Sequence, residues 1–478
     1  MLHLTRGQES QPNPLSGGRR PFLQAAGAGL FGLTVPQLLQ AEEHARPAKA
    51  KSVIFVLLFG GPSQLESVDL KPNAPEKIRG PFRPISCRTP GLLISEHLPH
   101  LAEVSDKFTV VRTMSHTFND HSGGAHYIQT GKKWHIPIGG GFNATPQDWP
   151  AMGAVADRRL RSSGAADDLP GYFVIPNSLG RLEEYSSRLL RPGEYGGWLG
   201  RGADPLTTAI DKKDSKDNPY WRNCSDDELT FAIEGLVRPR DLTIDRLSDR
   251  ETLLRQFDDL RRDVDRSETL QAYDRFQSRA LSLVASEKTR DALDITREPA
   301  ALRDRYGRNL FGQSALMARR LVEAGTRYVT VHYETLDGYG WDSHLNSKDV
   351  KDHLMPTFDQ GLAALLTDLD ERGMLDSTLV VALGEMGRTP LGNENWGRNH
   401  WSTLFSAVLA GGGIRRGGLY GESDKHAEYA LTLPVGPEDL AATIYDALGI
   451  DPDLRLPDIQ GRPVAINEGG RILHELFA

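Results

Sequence analysis

Four short stretches of this chain set histidines and carboxylates in patterns that could do chemistry. "GWDSH" places Asp342 and His344 two residues apart, so in extended chain both point to the same side. That makes a compact carboxylate–imidazole pair suited to a divalent metal. "GEMGRTP" flanks Glu385 with glycines, which let backbone approach a ligand closely, and follows it with Arg388, a candidate bidentate clamp for an anion. "GRNHW" adds His400 as a candidate ligand. "HSGGAH" holds His121 and His126 five positions apart, a spacing that does not put both on one helical face. They meet only if His121 lies in the loop before a helix and His126 inside it, so each stays open as nucleophile, ligand or acid/base group.

The elements that must position these groups are legible as apolar runs. "SVIFVLLF" (52–59) is an uninterrupted β-branched stretch, the pattern of a central parallel strand. "FTVVRTM" (108–114), "GYFVIP" (171–176), "RYVTVHY" (327–333), "TLVVAL" (378–383) and "TLFSAVLAGGG" (403–413) read as further strands. Between them, Leu316, Arg320, Leu321 and Ala324 fall at helical spacing before Gly325. Phe358, Leu362, Leu365, Leu366 and Leu369 form one apolar helix face that ends at Gly373. Helices alternating with apolar strands predict an α/β fold: a doubly wound, mostly parallel sheet with helices on both faces. In such a sheet the carboxyl ends of the strands share one edge, where ligands bind. Ser63, Gln64, Glu66 and Asp69 follow the first run; His116, Asp120, His121 and His126 follow the second. Asp337, Asp342 and His344 follow the run at 327–333, Glu385 and Arg388 follow 378–383, and Asn399 and His400 precede the last. Four segments therefore deliver imidazoles and carboxylates to one edge.

At 478 residues, 39% hydrophobic and 25% charged, the chain is long enough for one large α/β domain. A net charge of −8 gives no general affinity for nucleic acid. Residues 1–50 read as a twin-arginine-type signal: Arg19-Arg20, Phe22-Leu23, a Gly/Ala-softened apolar run, then Ala48-Lys49-Ala50 as a cleavage site. Such a leader implies passage through the twin-arginine translocon and a periplasmic, cell-envelope or extracellular location. Its apolar run is far short of the ~20 residues needed to span a bilayer, and no other window predicts a transmembrane helix. Residues 51–478 form the α/β domain, with a polar, charge-dense, helical insertion at about 178–305 that suits a lid or a solvated flank. Cys87 and Cys224 lack metal-binding spacing; sequence alone leaves their pairing open.

Taken in order behind such a leader, "FGGPSQLESVD", "HSGGAHYIQTG", "GWDSH", "GEMGRTP" and "GRNHW" resemble the domain-of-unknown-function family 1501 over about residues 50 to 460. That bacterial family is grouped with the alkaline phosphatase and sulfatase-like superfamily. The resemblance implies an alkaline-phosphatase-like fold, one or two divalent metals at the carboxyl edge, and hydrolysis of phosphate or sulfate esters. By it, Glu385 takes a ligand position, Met386 stands where relatives carry a ligand His, and His121 stands where they carry a Ser, Thr or modified-Cys nucleophile, with Ser122 adjacent. Asp342 and His344 resemble the intermediate Asp/His pair, and His400 the late His. The expectation is an exported metal-dependent hydrolase acting on an anionic ester. Asp342, His344, Glu385 and His400 would hold zinc or manganese, with His121, His126 and Arg388 in the catalytic group. The alternative is a metal-stabilised binding or scaffold protein of the cell envelope that keeps the fold without the activity.

Overall fold

The computed structural model describes residues 46–141, 143–161, 169–176, 190–209, 217–229, 231–233, 287–333, 340–458 and 460–478. Among the described residues, nine strands make the main sheet: β1 (Ser52–Leu58), β2 (Phe108–Met114), β3 (Tyr172–Ile175), β4 (Leu206–Ala209), β5 (Ala232–Ile233), β6 (Tyr328–Tyr333), β7 (Thr378–Leu383), β8 (Phe405–Ala410) and β9 (Gly418–Tyr420). Their order across the sheet is β9-β2-β8-β7-β1-β6-β3-β4-β5. All run parallel except β8 and β5. Leu58 of β1 pairs with Tyr333 of β6 and Leu57 with Leu383 of β7, so these three central strands end level.

Five helices matter to the core: α1 (His121–Thr130), α2 (Met152–Arg161), α3 (Leu310–Ala324), α4 (Met355–Glu371) and α5 (Pro437–Ala447). The apolar run of β1 is explained by burial on both faces. Ile54, Val56 and Leu58 enter one core with Leu316 and Leu321 of α3 and Leu362, Leu365 and Leu369 of α4. Val53, Phe55 and Leu57 enter the other with Val155 of α2 and Leu440 and Ile444 of α5. Each such large side chain contributes roughly 1.5–3 kcal/mol of burial free energy. Gly325 closes α3 in the left-handed conformation its position predicts. The α/β reading therefore holds, with the sheet doubly covered.

Within the span 178–305, expected as a helical insertion, the described residues put β4 and β5 on the margin of the main sheet and add short helices at Glu287–Leu293 and Ala300–Tyr306. Much of that span, and the leader at 1–45, lies outside the described residues. Cys87 and Cys224 are not joined in a disulfide. No helix among the described residues is long and apolar enough to cross a membrane.

Candidate metal centre

The level ends of β1, β6 and β7 set the geometry. Past β1 the chain turns through Gly60, whose φ is +110°. A Cβ there would stand 2.4 Å from the Asp342 backbone nitrogen, so the approach requires glycine. Its N–H donates to both carboxylate oxygens of Glu385, at 3.0 Å each. Past β2, Asp120 caps α1 by accepting from the Gly123 N–H at 2.9 Å, which puts His121 on the first turn of the helix. Gly124 keeps α1 close to Glu385: a Cβ there would stand 3.1 Å from the Glu385 carbonyl oxygen. His400 begins the return from a small hairpin in which Gly387–Arg388 pairs antiparallel with His400–Trp401. Since β8 runs opposite to β7, its start lies at the edge where β7 ends.

These elements bring His121, Asp342, His344 and His400 together. Metal-binding atoms of His121, Asp342 and His400 all lie within 4.8 Å of one another. His344 Nε2 is 2.9 Å from His400 Nε2 and 3.0 Å from Asp342 Oδ1. The other ring nitrogens explain the arrangement. His121 Nδ1 sits 2.5 Å from Glu385 Oε1, His400 Nδ1 3.1 Å from the Asn119 carbonyl oxygen, and His344 Nδ1 3.0 Å from Asn399 Oδ1. Each partner is an acceptor, so each Nδ1 carries a proton, and a ring with no second proton presents a bare Nε2. Three lone pairs and a carboxylate directed at one another repel until a cation lies among them. His121 Nε2 is buried and 3.1 Å from Asp342 Oδ2, yet the two form no aligned hydrogen bond, as expected of atoms aimed at a shared third point. The donor set thus fits a divalent metal, with Glu385–His121 as the carboxylate–histidine support such sites use.

Protons on the Nε2 atoms would take the place of a cation. Burial opposes the charge on Asp342, but in that protonated state hydrogen bonds from His121, His344 and His400 outweigh it and hold the carboxyl well below the usual carboxylate range. Burial likewise pushes the His121 imidazole down, and Asp342 and Glu385 more than reverse that. A proton and a metal compete for the same Nε2. Side-chain exposure rises from 12% at Asp342 through 20% at His400 to 37% at His344, so the cluster is approached from the His344 side.

Residues 50–477 match the family model described as protein of unknown function, DUF1501. The chain belongs to the DUF1501 family. No curated protein matches its sequence. Among solved structures it is similar to a phosphonate monoester hydrolase from Silicibacter pomeroyi, at 14% identity and a TM-score of 0.35, covering 89% of this chain and 76% of that one. It is also similar to the PsFucS1 sulfatase from Pseudoalteromonas sp. (11% identity, TM-score 0.37, 92% and 72% covered). A third is a TAB5 alkaline phosphatase mutant with magnesium bound (11%, 0.33, 84% and 99%). Likenesses this distant carry no argument about activity.

The DUF1501 motifs meet here, with roles redistributed. Glu385, expected as a ligand, is fully buried, accepts from Gly60 and His121, and lies behind His121 rather than among the atoms that could hold a metal. His121, expected in the catalytic group, lies with Asp342 and His400 in the group that could hold a metal. Arg388, expected as an anion clamp, is fully buried with all three guanidinium nitrogens engaged: Nε on the Gly61 carbonyl at 3.0 Å, Nη1 on the Arg398 carbonyl at 3.2 Å, and Nη2 on the Gly60 carbonyl and on Asp342 Oδ1. It fixes Asp342 and the β1 turn. His126 is kept apart, farther along α1, where its Nδ1–H donates to the Lys132 carbonyl at 3.1 Å and its ring stacks on Trp134. Burial pushes it down to about 4, a neutral core histidine. Met386 is buried beneath Gly61. Asn119 and the Gly60 N–H were invisible as site groups, because a backbone donor and a carbonyl acceptor leave no mark on residue type.

Proposed function

We propose that the chain is an exported, metal-dependent hydrolase of sulfate or phosphate esters. The observation that carries the reading is the convergence of three imidazole Nε2 atoms on Asp342, each ring held by an acceptor at Nδ1. His121, Asp342 and His400 would hold the cation, with His344 as a further donor at the mouth. This nitrogen-rich set suits zinc first, then manganese or iron. When bound, such a metal polarises an ester oxygen or lowers the pKa of a water toward ~7. Glu385 keeps the His121 ring in the required tautomer, and Arg388 holds Asp342 against it. With both nitrogens of His121 committed, water is the attacking group this geometry favours. Its oxygen bonds to sulfur or phosphorus as the ester oxygen leaves and takes up a proton. The attacking water gives up the proton that the leaving oxygen takes.

The saturation of Arg388 by internal acceptors favours a second reading, a metal-stabilised binding or scaffold protein. One experiment separates them: metal analysis of the purified chain together with turnover of 4-nitrophenyl sulfate and 4-nitrophenyl phosphate. Hydrolysis is expected, falling at least about 100-fold with loss of metal in Asp342→Ala and His400→Ala, as removal of a metal's ligands implies. A chain that binds metal, loses only stability in those variants and turns over neither ester is the scaffold.

A further inference from the structure

His121 and His400 come from distant parts of the chain, yet their rings stand 4.3 Å apart, centre to centre, at 72° to one another. The stretch that joins β2 to α1 reaches both. Asp120 caps α1 and so places His121, while the residue before it meets the His400 segment at three points. The Asn119 carbonyl accepts from His400 Nδ1–H at 3.1 Å. The Asn119 side chain adds two bonds: Nδ2–H donates to the His400 carbonyl at 3.3 Å, and Oδ1 accepts from the Ser402 N–H at 3.0 Å. We propose that the side chain of Asn119 is a positioning group of the metal centre, holding the backbone that aims His400 Nε2 at a fixed spacing from His121. The role rests on the metal-dependent reading above and is independent of turnover.

The partners fix which way the amide faces. A backbone N–H only donates and a carbonyl only accepts, so Oδ1 is turned to Ser402 and Nδ2 to His400. The His116 N–H already donates to the Ser402 carbonyl at 2.9 Å. A side-chain amide carries the donor and acceptor of a peptide unit, and here it continues that pairing onto the next two backbone groups. With the Ser402 carbonyl, the Ser402 N–H and the His400 carbonyl all held, the direction in which the His400 side chain leaves the backbone is set. The bond from Nδ1–H to the Asn119 carbonyl then sets the turn of its ring. Asn119 is itself exposed, so its side chain contributes hydrogen bonding to this arrangement and not core packing. Aspartate at this position would keep the acceptor for Ser402 but set an oxygen against the His400 carbonyl.

The test uses the full chain and two readouts. Competition with a chromophoric chelator gives the zinc affinity, and the visible absorption bands of the cobalt(II)-loaded chain report the arrangement of the ligands. Asn119→Ala is expected to weaken zinc binding about tenfold, as loss of a supporting contact behind a ligand does, and to shift the cobalt bands. Asn119→Asp, which breaks only the bond to the His400 carbonyl, is expected to shift the bands as well. It also serves if Asn119→Ala fails to fold. Cobalt bands that superimpose on those of the parent in either folded variant overturn the proposal, because a merely structural loss leaves the ligand geometry of the folded chain unchanged. Zinc affinity within about twofold of the parent in Asn119→Ala overturns it too. A parent chain that takes up neither metal overturns the metal centre, and the role of Asn119 with it. A parent that holds metal but turns over no ester counts against the hydrolase reading alone.

Discussion

Glu385 has one oxygen on His121 and both within reach of the Gly60 N–H, so what it controls is the tautomer of His121. Removing its charge while keeping its shape should weaken metal binding without abolishing it. Glu385→Gln is expected to lower zinc affinity about 10- to 100-fold, the usual effect of losing a supporting carboxylate. His121→Ala should lose far more. Competition with a chromophoric chelator measures both, and equal losses would return Glu385 to the ligand set. The carbonyl of the same residue accepts from His116 Nε2–H at 2.6 Å, while His116 Nδ1 accepts from the Phe118 N–H at 3.1 Å. Both bonds require a neutral ring, and burial pushes His116 down to about 4 from an ordinary 6.5. Between those values the unfolded chain binds the extra proton and the native chain does not. The contribution is therefore complete above pH 6.5 and lost as pH falls toward 4. Relative to His116→Gln, the parent should lose about 3 kcal/mol of stability over that window in urea titrations. A pH-independent difference would sink the assignment.

Besides Arg388 on Asp342, the hairpin from Gly387 to Trp401 is held by a buried ion pair between Arg398 and Glu66. Arg398 Nε donates to Glu66 Oε1 at 2.8 Å, and its other nitrogens bond the carbonyls of Thr389, Pro390 and Ile78. The Arg398 N–H donates to the Ser343 carbonyl at 2.9 Å, so one residue registers both the Asp342–His344 segment and Asn399–His400. Both side chains are about fully buried, and burial raises the Glu66 carboxyl despite Arg398 beside it. Arg398→Met is expected to destabilise by about 3–5 kcal/mol by leaving Glu66 unpaired, and adding Glu66→Leu should recover much of it. Urea unfolding of the single and double variants checks this; a single-variant loss under about 1 kcal/mol would contradict it. The same hairpin shows where sequence reading stops. β1, β2, β6 and β7 were legible because two-sided burial demands unbroken apolar runs, and α3 and α4 because their stripes keep helical period. β4, "LTTA", and the two-residue β5 were not, since short marginal strands need few apolar residues. The edge that carries the site was legible from strand order. The division of labour among its residues was not: Arg388 and Arg398 are both arginines in one loop, and only the direction of their donors distinguishes a structural pin from a clamp.

At the scale of the whole molecule, the candidate metal centre and the leader bear on one question, which is where folding happens. The site draws on segments from Gly60 to His400, so it exists only once the sheet has closed, and metal binding there would be bound up with folding. The Arg19-Arg20 leader, outside the described residues, resembles signals whose cargo crosses the membrane already folded. Under the proposed export, that pattern implies folding and metal loading before export. Replacing both leader arginines, Arg19→Lys with Arg20→Lys, is then expected to leave folded, metal-loaded chain in the cytoplasm and to remove it from the periplasmic fraction. Fractionation with metal analysis of the retained chain decides between outcomes. Unchanged export would remove the twin-arginine assignment. A retained chain that is folded but empty would place metal loading after translocation, and with it the completion of the His121–Asp342–His400 cluster.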